Sequence, residues 1–168
     1  MLVGVISDTH GYIDPRLEAA FAGVEAIIHA GDVGSVAVLQ SLAAIAPVYA
    51  VQGNNDVPLG GLGLEERLNL ELGGCSVHVV HHVIDAQPLP QTQVVVFGHS
   101  HVVLNEHRGG LLYLNPGAAG RRGFHRLQTV ALLRIEDGRV EATLRELGPR
   151  LPALRSATNR VKTGFVGR

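Results

Sequence analysis

Three stretches decide the fold: LVGVISDTHG (residues 2–11), EAIIHAGDVG (25–34) and PVYAVQGNND (47–56). Each opens as a short apolar run and closes on Gly, Asp, Asn or His. A run of that length bounded by polar punctuation reads as a strand buried on both faces. The segments between them carry helix signals. Asp14-Pro15 places Pro at a first helical position and predicts a helix to about Ala22, stopping at Gly23. Ser35 predicts a cap for a helix from Val36 to about Ala44, with Val36, Leu39, Leu42 and Ala43 on one face. The order β-α-β-α-β implies parallel strands joined by right-handed crossovers.

The pattern then changes. Leu68–Leu72 alternates apolar and polar residues, Gly73-Gly74 is a turn, and Ser76–Val80 completes a hairpin. Val94–Phe97 is a further buried strand. Val102–Glu106, Leu111–Asn115, Thr129–Ile135 and Val140–Leu147 also read as strands, the last two joined at Asp137-Gly138. No internal repeat interrupts the chain. The expected fold class is α/β, a two-sheet sandwich of mixed strands.

The 168 residues suffice for one domain with a full core. Hydrophobic residues make up 46% and charged residues 17%, a globular balance. No apolar run approaches the ~20 residues that span a bilayer. Met1–Ser7 lacks a basic leader and reads as a first strand rather than a signal peptide. Cys75 is the only cysteine, so no intrachain disulfide can form. A cytoplasmic location is expected. The net charge of −1 gives no global case for nucleic acid or an anionic membrane. The charge is uneven, because residues 147–168 hold Arg150, Arg155, Arg160, Lys162 and Arg168 and no acid. Residues 148–168 are expected as a basic tail, either solvated or packed on a neighbouring subunit.

Five polar motifs sit where apolar runs end: Asp8-Thr9-His10, Gly31-Asp32, Gly53-Asn54-Asn55-Asp56, His81-His82 and Gly98-His99-Ser100-His101. In open α/β sheets ligands gather beyond the carboxyl ends of strands, so loops distant in sequence can converge there. Asp8/His10 and His99/His101 are i, i+2 pairs, which share a side in extended backbone. Imidazole with carboxylate or amide oxygen suits manganese, iron, zinc, nickel or cobalt better than magnesium or calcium. Gly31, Gly53 and Gly98 permit tight turns at these strand ends.

In that order the five motifs resemble the calcineurin-like metallophosphoesterases. The short length and Leu114-Asn115-Pro116-Gly117 resemble the small bacterial and archaeal phosphodiesterase group within them. The resemblance spans about residues 1–147, expected as the metallophosphoesterase domain. It implies a four-layer α/β/β/α sandwich with two mixed sheets. It also implies two divalent metal ions, manganese foremost. Asp8, His10 and His101 would hold one, Asn54, His81 and His99 the other, and Asp32 would bridge them. Two metals ~3.5–4 Å apart clamp an in-line displacement and lower the pKa of a bound water, so a bridging hydroxide is the expected nucleophile. The implied activity is hydrolysis of small phosphodiesters, with Asp32 and Asn54 at the reacting centre.

The chain also departs from that family. The His that many relatives carry after the metal-binding Asn is Asn55 here, and an amide releases no proton near neutral pH. Esters with good leaving groups are therefore expected to be preferred. Asp56 is expected to orient the loop rather than touch substrate. The usual Gly after the fourth-motif His is His82, a candidate second proton donor. The stretch from His82 to Gln93 is short and interrupted by Pro88 and Pro90, which predicts an open rim. Ala118 stands where a Ser is frequent.

Outside the ligand set, His29 is expected to hydrogen-bond behind Asp32. His78 is expected to be solvated, and His107 and His125 to be surface residues. Arg121, Arg122 and Arg126 form either a solvated basic loop or a phosphate-facing one. Two other functions compete. A non-catalytic scaffold, like the retromer subunit of the same fold, would carry altered ligand positions, whereas all seven are filled here. A phosphomonoesterase or protein phosphatase fits less well without a His at position 55. The expected partner is a small phosphate ester, with self-association open.

Overall fold

A computed structural model describes residues 1–152. The three opening stretches form β1 (Leu2–Ile6), β2 (Ala26–His29) and β3 (Val48–Ala50). They pair in parallel, with Ile6 beside His29 and His29 beside Ala50. Along β1 the faces alternate. Val3 and Val5 point between the two sheets, and Leu2 and Ile6 point to the helix layer. β9 (Leu127–Glu136) and β10 (Arg139–Pro149) extend this sheet antiparallel on the other side, giving the order β10-β9-β1-β2-β3.

The second sheet holds β4 (Arg67–Leu72), β5 (Cys75–Val80), β6 (Val94–Val96), β7 (Leu104–Arg108) and β8 (Leu111–Asn115), in the order β4-β5-β6-β8-β7. β5, β6 and β8 run parallel, while β4 and β7 are antiparallel edges. Both sheets are thus mixed, as expected. Val77, Val79, Val94 and Leu114 meet Val3, Val5, Ile28 and Leu133 in the core between them. Burying each such side chain contributes on the order of 1.5–3 kcal/mol.

α1 (Leu17–Ala20) and α2 (Val36–Ala43) cover the outer face of the first sheet. α1 is one turn, far shorter than the helix expected over residues 14–22. The Asp14 carboxylate accepts from the Arg16 backbone N–H at 2.9 Å and from its guanidinium at 2.7 and 2.6 Å. That closed turn delays the helix to Leu17. α2 forms where expected, but its buried pair is Val38 and Leu42, and Val36 and Ala43 are exposed. Ser35 is extended at φ −166° and makes no side-chain cap bond.

The outer face of the second sheet is covered thinly. A 3-10 turn at Val83–Asp85 leads to Ala86, which packs on Val80, Val95 and Phe97. β7 starts at Leu104 rather than Val102, and Val102 and Val103 are exposed. β10 runs past Leu147, pairing Gly148 with Gln128 and Pro149 with Leu127 after a bulge. The expected basic tail therefore begins inside a strand, and its residues 153–168 lie outside the described ones. Among the described residues no helix is long and apolar enough to cross a membrane.

Candidate metal centre

The carboxyl ends of β1, β2, β3, β5 and β6 open at one end of the sandwich. Asp8 follows β1 by two residues, Asp32 follows β2 by three, and Asn54 follows β3 by four. His81 directly follows β5, and His99 follows β6 by three. The loops are laced together by their backbones. Asp8 N–H donates to the Gly31 carbonyl, His10 N–H to the Asp32 carbonyl and Gly98 N–H to the His81 carbonyl, at 2.9–3.0 Å.

All seven expected ligands converge. Asp8 Oδ1 lies 3.2 Å from His101 Nε2, and His101 Nε2 lies 3.4 Å from His10 Nε2. Asn54 Oδ1 lies 3.1 Å from His81 Nε2 and 3.0 Å from His99 Nδ1. Asp32 stands between the two groups. Its Oδ1 is 3.5 Å from His81 Nε2 and its Oδ2 is 3.8 Å from His10 Nε2.

The means of convergence differs from the expected one. Asp8, His10, Asp32, His99 and His101 have φ of 55°, 48°, 54°, 67° and 57°. Extended backbone therefore does not explain the i, i+2 pairs. Left-handed backbone costs a non-glycine residue about 1–2 kcal/mol. Only seven non-glycine residues among those described have positive φ, and five are in this cluster. Such strain persists where surrounding structure over-determines it, and it concentrates at functional sites. Close approach requires glycine at two positions. A Cβ on Gly98 would meet Asp8 Oδ2 at 2.8 Å, and one on Gly53 would collide with the Asp32 backbone and carboxylate.

Comparison with known proteins places the chain in a family. Residues 1–138 match the family model of the calcineurin-like phosphoesterase superfamily domain. The chain belongs to that superfamily. A probable metallophosphoesterase of Methanothermobacter thermautotrophicus is 33% identical over 88% of this chain and 94% of its own length. A phosphodiesterase of Methanocaldococcus jannaschii is 27% identical over 70% of this chain and 83% of its own. Among solved structures, a single-mutant Vps29 of Entamoeba histolytica superposes with a TM-score of 0.69 at 20% identity, covering 87% of this chain and 99% of that one. That likeness establishes the shared fold alone.

The cluster of this superfamily member fits divalent cations on its own chemistry. Asp8, His10 and His101 place one ligand atom each within 4.8 Å of one another, and so do Asp8, Asp32 and His81. Asp8 is fully buried, and its Oδ1 has no hydrogen-bond donor. An orphaned buried carboxylate oxygen facing imidazole lone pairs is costly unless a cation joins them. His81 Nδ1–H donates to the Ala30 carbonyl at 2.7 Å, which fixes the tautomer and presents Nε2 to the cluster. Asn55 donates to Asp32 from its backbone at 2.8 Å and from its side chain at 2.6 Å.

Protonation follows from these contacts. Burial opposes charge on Asp32, but the His81 hydrogen bond and charge, with both Asn55 bonds, outweigh it and hold the carboxyl well below the usual carboxylate range. Burial also opposes charge on His81, but Asp32, the Ala30 carbonyl and Asp8 raise it above the ordinary imidazole value. His10 and His99 are lowered, chiefly by burial. Neutral imidazoles are what a metal requires.

Residues around the cluster sort differently from the sequence expectation. Asp56 is buried and accepts from the backbone N–H of Val33, Gly34 and Gly53 at 2.7–3.0 Å. It fastens the loops carrying Asp32 and Asn54, in keeping with an orienting role. His82 stacks on His99 with ring centroids 4.3 Å apart. Its Nδ1 accepts from Ile84 N–H at 3.1 Å, so the proton of the neutral ring sits on Nε2.

His29 is buried behind the β1 loop. Its Nε2–H donates to Thr9 Oγ1, which itself donates to the Val33 carbonyl. Burial lowers its pKa to about 4. His78, expected in solvent, is buried, donating from Nδ1 to Asn69 Oδ1 and accepting Gln87 N–H at Nε2. The segment after the 3-10 turn, Ala86 and Gln87, covers the outer face that a lone hairpin would leave open. His107 is exposed, but His125 is half-buried with its ring 5.3 Å from that of His101. Arg121 stacks on Tyr12, 3.8 Å from the ring centroid.

Asn115 was legible only through the resemblance. It is buried, donates to the Gly98 carbonyl and to Ser100 Oγ, and accepts from Gly117 N–H. It therefore holds the loop that carries His99 and His101. Its signal was a polar residue ending an otherwise apolar strand, β8.

Proposed function

We propose that this phosphoesterase is a dinuclear-metal phosphodiesterase of small substrates. Asp8, His10 and His101 hold one divalent ion, Asn54, His81 and His99 the other, and Asp32 spans both. The observation that carries the reading is the placement of Asp32, with one oxygen toward His81 and the other toward His10. Manganese is the first metal to test, and the cytoplasm the first location. When bound, two such ions polarise the phosphoryl oxygens and acidify a water.

The chain's own residues supply the rest. Asn55 and the Ala30 carbonyl hold Asp32 and His81 in place. Asp56 keeps the β2 and β3 loops in register. His82 Nε2–H faces outward beside His99 and donates to the leaving oxygen, a role that Asn55 cannot fill. The phosphodiesterase reading draws support from the relative of that name. A scaffold would have no use for an orphaned buried carboxylate amid four imidazoles, so the ligand set favours an enzyme.

The test is metal analysis of the purified protein combined with a panel of aryl and alkyl mono- and diesters, with and without manganese. Two bound metals and preferential diester turnover are expected. Finding neither bound metal nor turnover with any added metal would overturn this reading and favour the scaffold. Faster monoester than diester turnover would make it a phosphomonoesterase.

A further inference from the structure

The cluster opens on two sides, and the sides differ in chemistry. One mouth is a cavity of about 410 Å³ walled by Asn54, Glu66, Arg67, His82 and Asp85, with Val57 its one exposed apolar wall residue. The other is a cavity of about 470 Å³ walled by Ser100, His101, Val102, Phe124 and His125. His99 lines both. Beside the second mouth, and sharing His101, Val102 and His125 with it, lies a cavity of about 420 Å³ walled by Val103, Leu127 and Leu144 and by the charged Arg126, Arg145 and Glu146.

Phe124 is 104% exposed and Val102 is 64% exposed. Together they put exposed apolar surface on the rim of this mouth, and no described residue shields the Phe124 ring. The ring is held beside the cluster by its loop. Gly120 N–H donates to the Asp8 carbonyl at 3.0 Å, and a Cβ on Gly123 would collide with the His101 ring. Phe124 therefore directly follows the residue that approaches His101 most closely in this loop. A cavity of about 540 Å³ between α1 and α2 contains none of the seven ligands and does not bear on this choice.

We infer that the substrate is an unsymmetrical phosphodiester whose retained arm is aromatic or apolar and rests on Phe124 and Val102. The leaving arm is polar and lies in the mouth of His82 and Asp85. This rests on the phosphodiesterase reading and sharpens it. A phosphorus atom at the cluster beside His99 sends one ester arm into each mouth, and a monoester would leave one mouth empty. The occupant of the apolar mouth is an ester arm because metal-ligating residues form its inner wall. A partner surface would have no need to reach them.

The experiment compares bis(4-nitrophenyl) phosphate with methyl 4-nitrophenyl phosphate on the manganese-loaded full chain. Both release nitrophenolate, but only the first retains an aromatic arm. Phe124→Ala is expected to raise KM for the first about 5–10-fold, the worth of one aromatic contact. It should leave kcat of both, and KM of the second, within about twofold. Phe124→Tyr should restore KM, and Leu89→Ala, outside both mouths, should change nothing. Calorimetric binding of diphenyl phosphate should weaken in Phe124→Ala while dimethyl phosphate is unaffected.

Turnover by the parent protein with KM indifferent to Phe124 overturns this inference alone. So does a dimer of the parent protein that Phe124→Ala dissociates without changing KM, which would make the patch a subunit contact. Absence of turnover with every ester overturns the phosphodiesterase reading together with it.

Discussion

The two halves of the cluster are built to different standards. Asp8, His10 and His101 lie in or near the interior, with Thr9 and His29 behind them. Asn54 and His99 are exposed at the junction of the two mouths. Asp32 belongs to both halves, and His81 joins the open half from a buried position. The contrast teaches a division of labour. The buried half is held in place by the fold around it, while the open half is reached by solvent.

The strongest way to break that division is to remove what joins the halves. Asp32→Asn is expected to lower metal content at both positions and cut diester turnover by more than about 100-fold. Elemental analysis after gel filtration, together with turnover, checks this. Full retention of both metals would show that Asp32 spans nothing.

A second test separates the halves. Asp8→Asn removes the orphaned carboxylate charge, so the metal-free protein should gain about 1–3 kcal/mol of stability while losing its stabilisation by added manganese. His99→Ala should instead lower the affinity of one metal about 10–100-fold and leave the other bound. Thermal denaturation with and without manganese, plus metal titration, reads both variants. Identical behaviour of the two would erase the distinction between buried and open halves.

The third concerns protonation at the open half alone. His82→Ala should keep both metals, slow alkyl-ester turnover by about 100-fold, and change aryl esters only a few-fold. Equal effects on alkyl and aryl esters would remove His82 as the donor.

The smallest effect lies beneath the buried half. His29 titrates near 4 when folded, against an ordinary 6.5. Above pH 6.5 neither state binds the proton. Between 6.5 and 4 the unfolded chain takes it up and the folded chain does not, so stability falls as pH drops and levels off below 4. The loss is on the order of 3 kcal/mol. Denaturant midpoints of the metal-free protein at several pH values should show this slope, and His29→Gln should flatten it.

How much was legible in advance depends on the range of the interaction involved. The strands could be read because each is a local apolar run, and nearly all of them form within two residues of their expected bounds. The ligand set could be read because five motifs recur at strand ends. The single-turn α1 was not legible, since propensity does not register the Asp14–Arg16 contact that consumes its start. The burial of His78 was not legible either. It depends on the segment after Val83–Asp85 folding back over β5, where Gln87 N–H reaches His78 Nε2.

The sequence by itself determined the α/β alternation, the seven metal-ligand candidates and the lack of a usual proton donor at Asn55. These depend on residue identity and local pattern. Only the tertiary structure decided that Asp32 faces both halves, that left-handed backbone aims the ligands, and that one mouth carries Glu66, Arg67 and Asp85 while the other carries no charged side chain and has Phe124 on its rim. Those facts arise where loops from two sheets meet. Neither the φ of Asp8 nor the neighbours of Phe124 are encoded in the residues beside them. They follow from packing between segments that lie many tens of residues apart.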